Sequence, residues 1–324
     1  VPLKDRAAKI MHRAVDLALQ PIVNDRLVVT GFWRSGTTWV QQQAAHALCA
    51  KTVFEPLAPS SGNFWTGRGF AGEHANREIY MPLSFADLQG RAGTIVSTAL
   101  AGRGHAGFAF FMRRSPSEAF RRNVVSKFTR AGFLLGEMAA RNDLRFIHVR
   151  RHPGAVYASL KNVGWDWSIN DVSLTKMYGE AIADETPEIR EVRAILLAHD
   201  KTPLRRVGAL WALSERAAHL AAKRAAPHRI LELSYADLVS RKASLPVALE
   251  TLGFSLRAEP DFSQISPVTS ADRHMADTEE RLNGWRQQLS ASEKNELRAI
   301  NFELFPEMAE VFWQEELPAL SARA

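Results

Sequence analysis

Two hydrophobic periods take turns along this chain. Arg26-Leu-Val-Val-Thr30 is a short branched-aliphatic run that stops at Gly31, the pattern of a buried strand. Beyond it Trp39, Val40, Ala44, Ala47 and Leu48 recur at helical spacing, so the order is strand, glycine-rich loop, helix. The same order returns twice. Asn123–Phe128 reads as a strand with 130–140 as a helix, and Arg145–Arg150 as a strand before a helix that opens at Pro153, a preferred first-turn residue. Upstream, Leu3, Ala7, Ile10, Met11, Ala14 and Leu17 mark a leading helix over 1–20, ended by Pro21. Downstream, Leu204, Val207, Leu210, Trp211, Ala217 and Leu220 predict a long helix from Pro203 to near Pro227. Residues 229–238 then read as a strand with a polar exit, and Ser290 to Glu293 as a capping box. Strands alternating with helices predict an α/β fold, three layers around a central parallel sheet, as one domain over 1–324.

Two stretches interrupt that rhythm. Residues 59–80 set Gly62, Gly67, Gly69 and Gly72 among Phe64, Trp65 and Phe70, which reads as loop. A long loop with large aromatics suits a lid or acceptor wall, or equally a surface loop pinned by its rings. Residues 161–200 are a second insertion, whose Trp165, Trp167 and Tyr178 suit either an acceptor site or the core.

Composition narrows the class. With 46% hydrophobic and 23% charged residues in 324, the chain suits a soluble globular protein with a sizeable core. No apolar run approaches the ~18 residues of a membrane span. Arg6, Lys9, Arg13 and Asp16 interrupt any signal-peptide core, and the sequence opens at Val1, so its targeting content is unread. The single cysteine, Cys49, excludes an intrachain disulfide and points to a reducing, cytoplasmic compartment. Lying among alanines, it is expected in the core. A net charge of +6 suits an anionic ligand, although a merely basic surface would give the same number. The absence of a basic block or nucleic-acid motif makes a nucleic-acid partner unexpected. Among ten histidines, His148 alternates with Ile147 and Val149 as a core residue would, His152 suits an N-cap, and His46 a helix face. No Cys/His cluster has metal-ligand spacing, so no metal is expected.

The candidate chemistry lies in the first loop. Gly31-x-x-x-x-Gly36-Thr37-Thr38 has nearly the spacing of a nucleotide phosphate loop, but Thr37 stands where the lysine is expected and a cation comes earlier, at Arg34. Loop N–H groups and the orphan N–H groups of a first helical turn favour an anion there. The segment Arg34-Ser35-Gly36-Thr37-Thr38-Trp39 resembles the 5′-phosphosulfate loop of sulfotransferases, whose donor is 3′-phosphoadenosine 5′-phosphosulfate (PAPS). Arg151-His-Pro-Gly-Ala-Val-Tyr-Ala-Ser159 resembles the same family's 3′-phosphate motif, an Arg-x-Pro with a serine eight residues after the arginine. Arg150 competes with Arg151 for that role, since strand alternation turns only one of them to a ligand. Tyr235-Ala-Asp-Leu238 resembles the segment whose tyrosine lies by the adenine. Asn283-Gly-Trp-Arg286 resembles the late Gly-x-Trp segment, which makes Arg281 and Arg286 candidate donor contacts.

The resemblance implies a P-loop-kinase-like sulfotransferase fold, PAPS as donor co-substrate and 3′-phosphoadenosine 5′-phosphate as product. The acceptor would be a hydroxyl or amine on a small molecule, glycan or peptide. The Lys-Thr-His element of the cytosolic small-molecule branch is broken here: Lys127 stands at the matching place, but Phe128 and Thr129 follow it. The tyrosylprotein branch uses a glutamate shortly after the first helix, and Glu55 falls there. Glu55 is therefore the expected general base, with a histidine or a solvated carboxylate before Pro56 as alternatives. Lys127, with Arg34, is the expected stabiliser of the sulfate or leaving phosphate, unless it is a lysine snorkelling at a strand end. Two rivals share the fold: a nucleotide kinase or NTPase, which would want Lys at 37 and an Asp ending a strand, and a catalytically silent nucleotide-binding protein.

Overall fold

The computed structural model describes residues 23–56, 91–103, 112–113, 116–129, 131–140, 144–163, 187–260 and 278–314, with Met11, Ala14 and Val15. They fall into two compact units, one drawn from residues 1–151 and 217–278, the other from 152–216 and 279–324. The aromatic stretch 59–80 and Trp165, Trp167 and Tyr178 lie outside the described residues, as does most of the leading segment, of which Met11, Ala14 and Val15 are helical.

The first unit is a parallel sheet of five strands: β1 (Arg26–Thr30), β2 (Ala50–Phe54), β3 (Asn123–Phe128), β4 (Arg145–Arg150) and β5 (Ile230–Ser234). Their order is β2-β3-β1-β4-β5, and every pairing is parallel. Residues paired in register share a face, so alternation along each strand sorts the side chains into two sets. Leu27, Val29, Val125, Ile147 and Val149 form one core with helix Thr37–Ala47 and helix Leu245–Thr251. The opposite face meets the end of helix Arg91–Leu100, where Ser126 Oγ donates to the Ala99 carbonyl at 2.9 Å. Helices on both faces of a parallel sheet are the α/β layering that the sequence predicts.

Strand β2 is not evident in the sequence, because Ala50-Lys-Thr-Val-Phe54 lacks an aliphatic run; its pairing with β3 makes it a strand. Its outer edge is occupied. Arg113 Nε donates to the Thr52 carbonyl at 2.9 Å and Arg121 Nη1 to the Ala50 carbonyl at 3.0 Å. Three other expectations change. The helix expected over 130–140 is confined to Leu135–Ala139, since Gly132 favours a turn that Leu134 N–H closes on Ala131. The strand expected to Leu238 stops at Ser234, whose hydroxyl caps helix Tyr235–Val239 by accepting the Asp237 N–H. Cys49 is exposed rather than in the core, at φ 48° in the turn that follows helix Thr37–Ala47, a left-handed site common at helix C-termini.

The second unit is helical. Helix Pro153–Val163 begins immediately after His152, which is its N-cap: His152 Nδ1 accepts the Gly154 N–H at 3.0 Å. Nε2–H then donates to the Phe312 carbonyl at 3.1 Å, which defines the neutral tautomer. The imidazole stacks on Trp285 at 4.1 Å and meets the edge of Trp313, whose indole N–H donates to Asn301 Oδ1. Gly154 is required there, since a Cβ would enter the Trp285 ring. Ser290 and Glu293 form the expected capping box of helix Ala291–Leu304. Of the 161–200 insertion, Pro187–Ala198 is helix.

His199, 3% exposed, ends that segment between Glu303, 3.4 Å from Nε2, and the Arg205 guanidinium, 3.2 Å from Nδ1. Burial holds its pKa below the ordinary value, with Arg205 and Lys201 adding to the effect against the pull of Glu303. The unfolded chain therefore takes up a proton that the folded imidazole resists. We predict that stability from this group is present above pH about 6.5 and lost as pH falls through the lowered value. An NMR titration of His199 should give a midpoint below about 6.5; one above it would reverse the sign.

Candidate active site

Strand order reverses at β1: the chain leaves it toward β2 and β3 and comes back to its other side at β4. In open parallel sheets, ligands bind at the carboxyl edge beside such a reversal. The loop at that edge is Gly31–Gly36. Gly31, at φ 150°, passes so close to β4 that a Cβ would strike the Val149 carbonyl oxygen. Arg34 holds a left-handed φ of 64°, uncommon for a side chain of its size. Gly36, at φ 88°, is the N-cap of helix Thr37–Ala47 and lies against the Tyr235 ring, where a Cβ has no room. Ser35 is fully buried, and its hydroxyl finds no partner among the described residues.

Two later segments converge on this loop. Arg151 Nη1 donates to the Arg34 carbonyl at 2.8 Å, and its guanidinium lies 4.8 Å from the Tyr235 ring centre. Trp39 meets the same tyrosine edge-on at 6.3 Å. Arg150 turns to the other face, as strand alternation requires. It pairs with Glu232 on β5, and His219 Nδ1 is 3.0 Å from its Nη2. Of the two arginines, Arg151 is the one that lies at the loop.

The third convergence is a buried ion pair. Lys127 Nζ, near the end of β3, stands 2.9 Å from Glu55 Oε1 and donates to Thr38 Oγ1 at 2.7 Å. It also lies 4.0 Å above the Phe54 ring. The pair's side chains are 4% and 7% exposed, so Lys127 is not snorkelling and Glu55 is not solvated before Pro56. Glu55 Oε2 accepts the Thr129 N–H at 3.2 Å, and the Glu55 N–H continues the ladder to the Lys127 carbonyl. A left-handed φ of 41° at Glu55 turns the chain out of β2 at this point. Below it, Gln41 Nε2 donates to the carbonyls of Val53 and Val125, tying helix Thr37–Ala47 to β2 and β3. His148 is a satisfied core histidine, bonded to Thr30 Oγ1 at 2.9 Å.

The remaining expected residues belong to the second unit. Ser159 is buried on helix Pro153–Val163. Arg281 is exposed on helix Thr278–Asn283, and Arg286 lies over its neighbour Trp285 while Nε donates to Asn283 Oδ1 at 3.2 Å. Sequence reasoning missed the Thr129 N–H, the Phe54 ring, and the Glu232 and His219 partners of Arg150. Each is brought in by sheet register or by a tertiary contact, which leaves no mark in local pattern. Among the described residues no cluster could hold a metal ion, and no helix is long and apolar enough to cross a membrane.

No protein-family model matches the chain, and comparison with curated proteins finds no match. Solved structures with a likeness to it include the sulfotransferase domain from the Synechococcus PCC 7002 olefin synthase. Its TM-score is 0.47 at 16% identity, over 90% of this chain and 95% of that one. The sulfotransferase domain from the curacin biosynthetic pathway gives 0.43 at 14% identity, over 86% of this chain and 97% of that one. Sulfotransferase STF1 from Mycobacterium tuberculosis H37Rv gives 0.41 at 14%, over 86% and 83%. None of these likenesses assigns a residue.

Removing one partner of a buried pair strands the other's charge. Lys127→Met is expected to cost about 3–5 kcal/mol of stability in denaturant unfolding, and Lys127→Met with Glu55→Gln to recover most of it. A double variant as unstable as the single one would mean that the pair is not what the fold depends on there.

Proposed function

We propose that the protein is a sulfotransferase that moves the sulfuryl group of PAPS to a hydroxyl or amine of its acceptor. The observation that carries this reading is the convergence of three separately recognised segments: the Arg34–Trp39 loop, Arg151 and Tyr235 meet at one edge of the sheet. The donor has two anionic ends and an adenine, which calls for two cationic or N–H-rich sites and a ring surface. The loop N–H groups, the Thr37 and Thr38 hydroxyls and the Arg34 guanidinium suit the 5′ end. Arg151, already braced on the Arg34 carbonyl and on Tyr235, suits the 3′-phosphate through paired hydrogen bonds. Ser159, Arg281 and Arg286 carry their assignments from the resemblance alone. The lone Cys49 keeps the cytoplasm as the proposed compartment.

In the reaction the acceptor oxygen or nitrogen forms a bond to sulfur while the bond from sulfur to the 5′-phosphate oxygen breaks and its electron pair leaves with the phosphate. Little covalent work falls to the protein; it holds the groups in line and places positive charge at the leaving oxygen. The acceptor's proton goes to Glu55, a carboxylate that Lys127 and the Thr129 N–H hold beside the loop. Lys127 supplies the buried positive charge beside the loop. No metal is called for in this scheme.

Thermal unfolding with 3′-phosphoadenosine 5′-phosphate, beside 5′-AMP, ADP and Mg-ATP, tests the donor. At a hundred times its dissociation constant, the 3′-phosphorylated nucleotide should add about 2.7 kcal/mol, and Arg151→Ala should remove that gain. Stabilisation by Mg-ATP alone would replace this reading with a kinase. Glu55→Gln should abolish turnover while the product nucleotide still binds; a variant with unchanged turnover would take the base role away from Glu55.

A further inference from the structure

We infer that Lys127 acts on the bound donor through the Thr38 hydroxyl, as a positioning residue that fixes which way that hydroxyl donates. The inference rests on the PAPS reading and deepens it, since it states how the buried charge reaches the ligand. An ammonium group has donors only, so the 2.7 Å contact between Lys127 Nζ and Thr38 Oγ1 must be N–H···Oγ1 with Thr38 accepting. A hydroxyl that accepts from a cation has its own hydrogen turned away from that cation. Thr38 stands in the first turn of helix Thr37–Ala47, two residues after the Gly36 N-cap, at the end of the loop where the helix favours an anion. Its O–H thereby becomes a directed donor, polarised by the lysine behind it, as hydrogen-bond chains polarise one another.

Besides Thr38, the lysine is held for this task from two sides. Glu55 Oε1 pairs with it at 2.9 Å, the Phe54 ring lies 4.0 Å beneath it, and Glu55 is itself fixed by the Thr129 N–H. With a side chain only 4% exposed, Lys127 offers the loop its charge while its ammonium stays behind the threonine. The left-handed backbone at Glu55 fits this arrangement, because it places the carboxylate beside β3 directly after β2 has ended. A loop without the usual lysine after its second glycine thus receives that charge from a neighbouring strand, by way of a hydroxyl.

Calorimetric titration of the full chain with 3′-phosphoadenosine 5′-phosphate tests the chain of contacts. Thr38→Val, which keeps the side chain's shape and removes the hydroxyl, should weaken binding about tenfold, and Thr38→Ser should restore it. Lys127→Met should weaken binding by a similar factor when Thr38 is present, and by no more than about twofold once Val replaces it. Since Lys127→Met strands the Glu55 carboxylate, the same cycle is run in a Glu55→Gln background, where the lysine's removal leaves only a neutral amide. An equal loss from Lys127→Met with and without the hydroxyl overturns the inference, because the ammonium then acts on the ligand directly; so does a Thr38→Val variant that binds like the parent chain. If the parent chain takes Mg-ATP and not the 3′-phosphorylated nucleotide, the donor reading falls instead. The same cycle titrated with Mg-ATP then decides the role of Lys127 by the same two outcomes.

Discussion

A charged amine buried at the end of a strand has to be neutralised, and much of this site's geometry follows from how that is done. Lys127 meets Glu55, Thr38 and the face of Phe54. The contacts come from two parts of the chain: the end of β2, which supplies Phe54 and then Glu55, and the first helical turn, which supplies Thr38. Parallel register sets Phe54 beside Lys127, so the ring and the carboxylate that follows it arrive together. Take the sheet order away and the lysine would lose its counter-charge and its apolar floor at once. Desolvation makes such a pair a poor source of net stability but a strict constraint on geometry.

The same logic of facing separates the two arginines at the end of β4. Arg150 goes to the face where Glu232 and His219 receive it, which leaves Arg151 on the side of the Gly31–Gly36 loop. A guanidinium that already donates to a backbone carbonyl and rests on a tyrosine ring loses little freedom on meeting a ligand. Glycines complete the arrangement at the two places where backbone and ring approach most closely, Gly31 beside Val149 and Gly36 beneath Tyr235.

The sequence showed β1, β3 and β4 plainly, because each carries a run of branched or aromatic apolar residues, and it placed Arg34, Thr38, Lys127, Arg151 and Tyr235 through their motifs. It did not show β2, whose Lys51 is wholly buried and whose strand character comes from pairing with β3. Nor did it show that Cys49 lies in a left-handed turn, since alanine neighbours suggest a core position with equal force. The partners that hold the site together, Thr129 to Glu55 and Glu232 to Arg150, were illegible for a related reason. They are set by which strands lie side by side, and local periodicity carries no record of that.

The outer edge of β2 has a consequence for how this protein meets others. An edge strand normally offers its carbonyls and N–H groups to any extended peptide, including a second copy of itself. Here guanidinium groups of Arg113 and Arg121 occupy the carbonyls of Thr52 and Ala50, alternate positions that face away from β3. An approaching strand would have to displace two charged donors and pack against positive charge. Growth of the sheet into an open-ended polymer is therefore discouraged on that side, close to the strand that ends in the site's carboxylate.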